Sequence, residues 1–421
     1  MPNSHYNLEE QLRQDRRIGN AQRRRRRIRR LFPLLLLFLL LAAAVWLLLP
    51  GDETEETEPS SEAPVTGSSA ATLSFVGDIN LDKTMMERFR TETGYDFTAL
   101  LHRIVPRLAP ADLTVGNLEG NVSDELSDHS YPPALLQALY AAGFDILQTG
   151  NSYTIQNGIM GLNATKQAIQ TAGMDPLGSW TSQEDREENG VLIREVNGIR
   201  FAFLCFTKGL NNLRLPAGAE YCVNLLYTDY DTTYSRIARA AIEKAVEEAR
   251  MKSPDVIIAL VHWGSEYDQQ IAESQKEIAE LLFNGGVHLV IGSHSHYVGP
   301  MELRSKEITS SGGSFIAYSL GDFVSLADSS TARNGCILSF TVTKDSSGCR
   351  ISDLKYVPTY STAPSEELEI TDYEVLDTLG AISSYKQGFY DRVSDPLYAQ
   401  LLSGLEKMKE QTGMPDSLAE K

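Results

Sequence analysis

Residues 73–78 read Leu-Ser-Phe-Val-Gly-Asp, an apolar run rich in β-favouring residues that ends on a glycine and a carboxylate. An apolar run of this length, closed by a turn residue, is typical of a buried strand. The arrangement returns at 113–119, where Leu-Thr-Val is followed by Gly-Asn-Leu-Glu. Similar runs, alternating with helical patterns, occupy residues 146–147, 256–261, 289–291 and 315–318. This alternation predicts an α/β domain that begins near Thr72.

Two hairpin patterns predict that the sheets are partly antiparallel. Asn197-Gly198 separates two β-rich runs and is the strongest short hairpin signal in the chain. A second hairpin is predicted for the runs 336–343 and 351–360, which flank a polar turn at 344–348. The sheet system is therefore expected to be mixed.

Two further regions predict helices. Residues 233–252 place Ile242, Ala245 and Val246 at helical spacing and predict a helix that covers one face of a sheet. Residues 370–412 carry apolar residues at similar spacing and predict C-terminal helices. We divide the chain after residue 71 into a main domain, residues 72–362, and a C-terminal helical extension, residues 363–421.

Five polar residues stand where predicted strands end, which is where open α/β sheets place their ligand sites. They are Asp78, Glu119, His262, His294 and His296. Carboxylate and imidazole ligands together favour first-row divalent ions such as Zn, Mn or Fe over Ca or Mg. The pattern predicts a site for one or two such ions. His5, His102, His129 and His288 lack this context, and we assign them no role.

The four cysteines leave two interpretations open. Cys205, Cys222, Cys336 and Cys349 can form up to two disulfides, in any of three pairings, if the domain lies outside the cell. Alternatively, Cys205 is a buried thiol, because it lies within the apolar run 201–206. None of the four belongs to a Cys-x-x-Cys pair, so a zinc-thiolate site is not favoured.

The first fifty residues differ sharply in charge from the rest of the chain. They carry ten arginines against three acidic residues, so the total charge of −18 leaves −25 for residues 51–421. Residues 1–30 form a basic segment. Residues 31–49 are apolar and uncharged, a length that matches a membrane-spanning helix. Residues 50–71 are rich in Glu, Ser, Thr and Pro and predict a solvated linker.

The charges that flank the apolar segment predict its orientation. Seven arginines precede it at 23–30, and five acidic residues follow it at 52–58. The positive-inside rule then predicts a single-pass signal-anchor in the cell membrane, with a cytoplasmic N-terminus and an extracytoplasmic C-terminal domain. A cleaved signal peptide fits less well because bulky residues 45–49 follow the alanines 42–44. The acidic outer part excludes nucleic acid as a partner class, since phosphate binding needs clustered basic residues.

Six motifs in the same order and spacing resemble the CapA family of poly-γ-glutamate capsule proteins, across residues 72 to about 360. The matching segments are Phe-Val-Gly-Asp at 75–78, Gly-Asn-Leu-Glu-Gly at 116–120, the segment 158–162, His-Trp-Gly-Ser-Glu-Tyr at 262–267, Gly-Ser-His-Ser-His at 292–296 and Tyr-Ser-Leu-Gly-Asp-Phe at 318–323. The resemblance implies a four-layer α/β/β/α sandwich with mixed sheets, similar to calcineurin-like phosphoesterases and other metallophosphatase-like proteins, here preceded by one transmembrane helix.

The resemblance also implies roles for particular residues. It places the five predicted ligands at metal-site positions, and in related hydrolases two metals clamp an ester phosphate and activate a water. Three further residues of the matching motifs are assigned supporting roles: Asn117, Glu266 and Asp322. Asp322 stands where the family more often has Asn.

One motif departs from the family pattern, which resembles Asn-Asn-His followed by a run ending Gly-x-x-Gly-Leu. This chain has Asn151, Ser152 and Tyr153 before Gly158. One alignment places Ser152 at the metal-binding Asn and Tyr153 at the His. A shift of one residue makes Asn151 the ligand and Ser152 the His position. In both alignments the histidine expected to donate a proton is missing, so these three residues are the candidate catalytic positions.

Three hypotheses for function follow. The first is a metal-dependent hydrolase of the cell envelope that takes part in poly-γ-glutamate or capsule synthesis, export or retention. The second is a non-catalytic, anchored component that binds polymer or other capsule-synthesis proteins through a degenerate phosphoesterase site. The third is a nucleotidase or phosphodiesterase acting on small phosphate esters. The expected partners are the membrane and poly-γ-glutamate or another envelope polymer.

Overall fold

A computed structural model describes residues 68–327, 330–389 and 393–413. All of these lie within the compact unit Val65–Lys421. The predicted basic segment 1–30, the membrane segment 31–49 and most of the linker 50–71 lie outside the described residues. Within the described ranges, the helices are too short or too polar to cross a bilayer.

The strands, in chain order, are β1 (Ser69–Ile79), β2 (Arg90–Thr91), β3 (Gly94–Tyr95), β4 (Leu113–Leu118), β5 (Asn121–Val122), β6 (Ser130–Tyr131), β7 (Ile146–Gln148), β8 (Asp175–Leu177), β9 (Leu192–Val196), β10 (Ile199–Thr207), β11 (Val256–His262), β12 (Leu289–Ser293), β13 (Met301–Leu303), β14 (Glu307–Ile308), β15 (Phe315–Ala317), β16 (Asp322–Val324), β17 (Asn334–Asp345), β18 (Gly348–Ser361) and β19 (Val375–Asp377). The helices are α1 (Lys83–Arg88), α2 (Thr98–Leu101), α3 (Val105–Leu108), α4 (Pro133–Ala142), α5 (Gly158–Ala172), α6 (Gln183–Asn189), α7 (Arg239–Met251), α8 (Glu273–Asn284), α9 (Thr378–Lys386) and α10 (Asp395–Thr412).

Two large mixed sheets form the centre of the described domain. The nine-stranded sheet has the order β14-β18-β17-β1-β4-β7-β8, with β16 beside β1 and β19 beside β18. The six-stranded sheet has the order β13-β15-β12-β11-β10-β9. Strands β1, β4 and β7 are parallel, as are β10, β11, β12 and β15. Both predicted hairpins are confirmed as antiparallel pairs, β9 with β10 and β17 with β18.

The layers follow from the pleat of the strands, because successive side chains point to opposite faces. Phe75 packs in a core shared by the two sheets, together with Phe203 of β10. The next residue, Val76, packs in a second core with Leu139 of α4. On the far side, Ile242 of α7 packs against the six-stranded sheet. The layer order is therefore α/β/β/α, as expected.

Two element boundaries differ from the predictions. The helix predicted over 233–252 begins only at Arg239, because the Asp229 carboxylate binds the preceding turn. Oδ2 of Asp229 accepts from the Ser235 backbone N–H at 3.0 Å, and Oδ1 accepts from the Arg236 N–H at 3.0 Å. Such side-chain bonds compete with helix formation.

The second difference concerns the C-terminal region, where part of the predicted helix is a strand. Residues 375–377 form β19 and pair with β18, with Thr359 opposite Asp377. Asp377 then caps α9 by accepting hydrogen bonds from the Leu379 and Gly380 N–H groups, both at 3.1 Å. Leu401 of α10 packs in a cluster with Tyr360 of β18, so these helices rest on the sheet.

All four cysteines are free and buried, so the disulfide interpretation is wrong. The interpretation of Cys205 as a buried thiol is confirmed, since it lies in the core between the sheets. Its thiol donates to the Gly150 carbonyl at 3.3 Å. Burial raises the pKa of Cys205 well above its usual range, which keeps the thiol protonated.

Candidate metal centre

The ends of strands from both sheets meet at one place. In the nine-stranded sheet, Asp78 near the end of β1 lies opposite Asn117 of β4, and Glu119 directly follows β4. In the six-stranded sheet, His262 ends β11 opposite Ser293, the residue before His294. All five predicted ligands are buried. The structure thus brings together residues that are up to 218 positions apart in the sequence.

The atoms that could bind a metal ion fall into two groups, which we call the donor groups. Asp78, Glu119 and His296 form one group, and Glu119, His262 and His294 form the other. Within each group the ligand atoms lie within 4.8 Å of one another. Glu119 belongs to both, so its carboxylate would be shared if each group held a cation.

Buried polar atoms without a hydrogen-bond partner make this site suitable for binding a cation. Glu119 Oε1 and His294 Nδ1 are buried and have no hydrogen-bond partner among the described residues. Nε2 of His262 is 3.2 Å from Glu119 Oε1 without forming a hydrogen bond. Buried polar groups are nearly always hydrogen-bonded, and leaving one unpaired costs about 1–3 kcal/mol. Free donor atoms on carboxylate and imidazole groups are what a first-row divalent ion requires.

Neighbouring polar side chains fix the orientation of the ligands. Asn117 Nδ2 donates to Asp78 Oδ1 at 2.7 Å. Asn80 Nδ2 donates to Glu119 Oε2 at 3.0 Å. Such partners of metal ligands hold each ligand in its binding geometry. Asn117 was a predicted supporting residue, whereas Asn80 was not predicted, although it lies only two positions after Asp78.

The histidines are held in the same way. His262 Nδ1 lies 2.9 Å from Ser293 Oγ, and His296 Nδ1 lies 2.8 Å from Asp322 Oδ1. The backbone N–H of His294 donates to Asp78 Oδ2 at 3.0 Å, which joins the two sheets directly at the site. The structure therefore places the predicted supporting residue Asp322 against one of the candidate ligands.

Burial controls the charge of the donor groups. It raises the pKa of the Asp78 and Glu119 carboxyls and lowers the pKa of His262 and His294. Neutral imidazoles offer the lone pair that a metal needs. His296 differs: burial alone would lower its pKa, but Asp322 and the other carboxylates raise it to about 10. The metal-free site therefore holds a proton on His296 at neutral pH.

The altered 151–153 motif is divided between two roles. Asn151 Nδ2 donates to Asn117 Oδ1 at 2.9 Å and to the Leu118 carbonyl at 2.8 Å, which braces the turn that carries Glu119. Ser152 Oγ lies 3.1 Å from His262 Nε2. The Ser152 hydroxyl therefore contacts the candidate ligand His262 directly, whereas the Asn151 amide nitrogen contacts Asn117, a neighbour of the ligand Asp78, and the backbone.

Tyr153 is half-buried beside the site and is stacked on an unpredicted residue, His129. The two rings are 3.6 Å apart between centroids and 10° from parallel. Nδ1 of His129 also lies 2.9 Å from the Glu119 carbonyl. Sequence patterns gave no reason to include His129, because the contact joins two separate loops. Burial raises the pKa of Tyr153 well above its usual range, so its hydroxyl stays protonated.

The mouth of the site is lined by the loop that follows β11. The Tyr267 ring lies 4.9 Å from the His296 ring and is half-exposed. Burial, then Asp322 and Glu266, raise the pKa of Tyr267 to about 12. The predicted supporting residue Glu266 is exposed at this mouth, where its charge also raises the pKa of Tyr153.

Four of the ten non-glycine residues with positive φ in the described part of the chain lie at this site. His129, Tyr267, His294 and His296 all have positive φ, at 60°, 56°, 96° and 59°. Positive φ is uncommon for residues other than glycine, and strained residues of this kind tend to cluster at functional sites. The surrounding structure therefore holds these four residues in backbone conformations that are unfavourable in isolation.

The fold and the donor groups define a class of protein: a two-sheet α/β domain with a carboxylate and imidazole centre suited to divalent cations. The family described as "Bacterial capsule synthesis protein PGA_cap" matches residues 72–327. This chain belongs to that family, as its motifs had indicated.

Two curated relatives agree with this assignment. The PGA biosynthesis protein CapA of Bacillus subtilis (strain 168) is 23% identical over 292 residues, which span 65% of this chain and 68% of the relative. The capsule biosynthesis protein CapA of Bacillus anthracis is 26% identical over 292 residues, spanning 66% of this chain and 65% of the relative. The chain thus spans about two thirds of the length of each.

Solved structures with a similar arrangement include a phosphatase from Mycoplasma pneumoniae and a sulfate thiohydrolase SoxB from Thermus thermophilus. The first is 13% identical, covers 71% of this chain and 96% of its own, and has a TM-score of 0.42. The second is 12% identical, covers 75% and 46%, and has a TM-score of 0.36.

Proposed function

We propose that this chain is a membrane-anchored, extracytoplasmic component of poly-γ-glutamate or capsule synthesis, export or retention, with a metal-dependent hydrolase centre. Family membership supports the capsule role, and the names of both Bacillus relatives refer to it. The observation that carries the hydrolase proposal is the pair of donor groups that share Glu119 and leave buried ligand atoms unpaired.

The residues at the site have distinct proposed roles. Asp78, Glu119 and His296 would hold one divalent cation, and Glu119, His262 and His294 a second. When bound, such a pair polarises a phosphoryl or carbonyl group and supplies a water of lowered pKa. Mn, Fe and Zn are the ions that this mixture of ligands favours.

The side chains around the donor groups prepare them for this chemistry. Asp322 orients the His296 ring through the 2.8 Å contact at Nδ1, and Asn117 orients Asp78. Tyr153 holds a proton on its hydroxyl at neutral pH, and in one of the two alignments it stands where the family pattern has its proton-donating histidine. We propose Tyr153 as the group that donates this proton to the leaving group.

A second candidate is a non-catalytic component that binds polymer in the same cleft. The observation in its favour is the 151–153 motif itself, because a phenol with a raised pKa is a weaker acid than an imidazole. Under this proposal the donor groups still bind metal, and the metal helps to hold an anionic polymer rather than to cleave it.

Activity assays distinguish these proposals. We expect the full-length chain, loaded with Mn, Fe or Zn, to cleave poly-γ-glutamate, and Glu119→Gln to lower the rate at least about 100-fold. His102→Ala is the matched control, since His102 is exposed and its Nδ1 contacts only the Ala99 carbonyl among the described residues. Bound metal without turnover would favour the binding component. Turnover of a chromogenic phosphodiester without cleavage of the polymer would favour the third hypothesis.

The anchored topology rests on the flanking charges of residues 31–49. We expect protease added outside intact cells to remove a C-terminal epitope tag and to leave an N-terminal tag protected. Protection of both tags would contradict the proposed orientation. Release of the C-terminal domain into the medium without protease would indicate cleavage after the apolar segment instead.

A further inference from the structure

Lys208 lies at the edge of the candidate metal centre. It directly follows β10, and its backbone N–H donates to the His262 carbonyl at 2.7 Å. Its Nζ donates to the Gly264 carbonyl, in the loop that lines the mouth. The same ammonium lies 4.7 Å from the centre of the Tyr234 ring, a cation–π contact.

The Lys208 ammonium lacks a carboxylate partner among the residues that the structure describes. Its contacts there are one carbonyl and one aromatic ring, although the side chain is partly buried. Lysines that lose hydration are usually paired with an acidic group. An ammonium has three N–H donors, and the Gly264 carbonyl accepts from one of them. The other N–H donors have no hydrogen-bond acceptor among the residues that the structure describes, although the ammonium also contacts the Tyr234 ring.

The charge of Lys208 acts on the site. Its field reaches the imidazoles of His262 and His294, which are candidate ligands, and the carboxylate of Glu266 at the mouth. Two divalent cations would bring four positive charges against the three buried carboxylates of Asp78, Glu119 and Asp322. Lys208 adds another positive charge. A loaded site of this composition attracts an anion, although the outer part of the chain is strongly acidic.

We propose that Lys208 binds an oxyanion of the substrate beside the reacting linkage and so selects anionic substrates. This inference rests on the proposed function of the metal centre. Two sources share the required chemistry: the free α-carboxylate that each residue of a γ-linked glutamate chain carries, and the phosphate of a phosphoester. A lysine can serve either, because its ammonium is a compact point charge.

The test is calorimetric titration of the Mn-loaded full-length chain with inorganic phosphate and, separately, with tri-γ-glutamate. We expect Lys208→Met to weaken anion binding about tenfold or more, the usual loss for a hydrogen bond to a charged group. Lys208→Arg keeps the charge and should stay within about threefold of wild type. The control is Lys252→Met, at the end of α7 and before the start of β11, which should not change the affinity.

The outcomes separate this inference from the function on which it rests. Metal content, measured on the same samples, should be equal in wild type and Lys208→Met. Unchanged affinity for both anions in Lys208→Met would overturn the inference while leaving the metal centre intact. A wild type without metal would overturn the proposed function, and titration of that metal-free chain would still test Lys208. If Lys208→Met weakens the binding of phosphate alone, the substrate oxyanion is the phosphate of a phosphoester. If it weakens the binding of tri-γ-glutamate alone, the oxyanion is the α-carboxylate of the polymer.

Discussion

Asp322 shows how one side chain can set the charge of the whole site. Its Oδ1 lies 2.8 Å from His296 Nδ1, and its Oδ2 accepts from the Ser325 hydroxyl at 2.6 Å. The resemblance to the CapA family implies Asn more often at this position, and Asn would supply the hydrogen-bonding shape without the charge. The raised pKa of His296 therefore depends chiefly on the charge of Asp322.

Asp322→Asn should change the protons released when metal binds. In the metal-free chain the pKa of His296 is about 10, above the usual value of about 6.5, so the ring is protonated at neutral pH. Metal binding must displace that proton, so metal affinity should rise with pH until about pH 10. In Asp322→Asn the pKa of His296 falls, and proton release near pH 8 should drop by about half a proton or more per chain.

The measurement is calorimetry of Mn binding in buffers with different ionisation enthalpies. Asp353→Asn, an exposed position on β18, is the control and should release as many protons as wild type. Equal proton release in Asp322→Asn and wild type would contradict the assigned role of Asp322.

At the residue scale, the predictable part of the site is the part attached to strand ends. Asp78, Glu119 and His262 could be found because parallel strands deliver their ends to one edge of a sheet. His129 could not be found in this way, because it reaches the site from a turn whose position depends on the tertiary fold. Lys208 does follow a predicted strand, β10, but a single lysine after a strand carries no metal-ligand pattern and was not singled out.

At the scale of elements, the parallel pairing of β1 with β16 positions the candidate ligand Asp78. The Asp78 N–H donates to the Gly321 carbonyl at 3.1 Å, and Asp78 lies opposite Asp322. A Cβ on Gly77 would lie 1.8 Å from that same carbonyl oxygen. Only glycine permits this close approach of two backbones.

Gly77→Ala should therefore destabilise the fold and weaken the metal site together. We expect a loss of about 1–3 kcal/mol or more in the free energy of unfolding, since the backbone must move, and a measurable fall in bound metal. Gly143→Ala is the control: a Cβ there meets no atom within 4 Å, although φ is 105°. Its strain should cost about 1–2 kcal/mol and leave metal content unchanged. Full metal binding in Gly77→Ala would disprove this role for the pairing of β1 with β16.

Elements with a strong local pattern could be predicted from the sequence, and their exact ends could not. The hairpin of β17 and β18 has a clear alternation and a polar turn, and it forms as expected. The predicted start of α7 was wrong because the Asp229 carboxylate accepts hydrogen bonds from backbone N–H groups of the preceding turn. β19 was missed because a three-residue strand carries too little pattern of its own and depends on pairing with β18.

At the scale of the whole molecule, the C-terminal helices contribute to the stability of the described domain. Leu401 of α10 is fully buried beside Tyr360 of β18. Leu401→Ala should lower the free energy of unfolding by about 2–5 kcal/mol, the usual cost of removing a buried leucine side chain. Glu406→Ala, on the exposed side of α10, should change it by less than about 0.5 kcal/mol. Urea unfolding of the full-length chain measures both, and equal midpoints would show that α10 unfolds separately.

The four-layer arrangement could be expected from the resemblance, whereas the strand pattern alone predicted an α/β domain with mixed sheets. The topology beyond that depends on contacts that the pattern does not contain. The position of β16 beside β1 is one such contact, and it brings Asp322 to the metal centre.

The central claim is that the two donor groups sharing Glu119 bind divalent metal, and elemental analysis tests it most directly. The full-length chain would be purified without chelators or metal-affinity columns, beside the double variant His294→Ala, His296→Ala and the control His102→Ala. We expect about two metal ions per chain in wild type and control, and almost none in the double variant. Absence of metal from wild type, even after incubation with Mn, Fe or Zn, would contradict it.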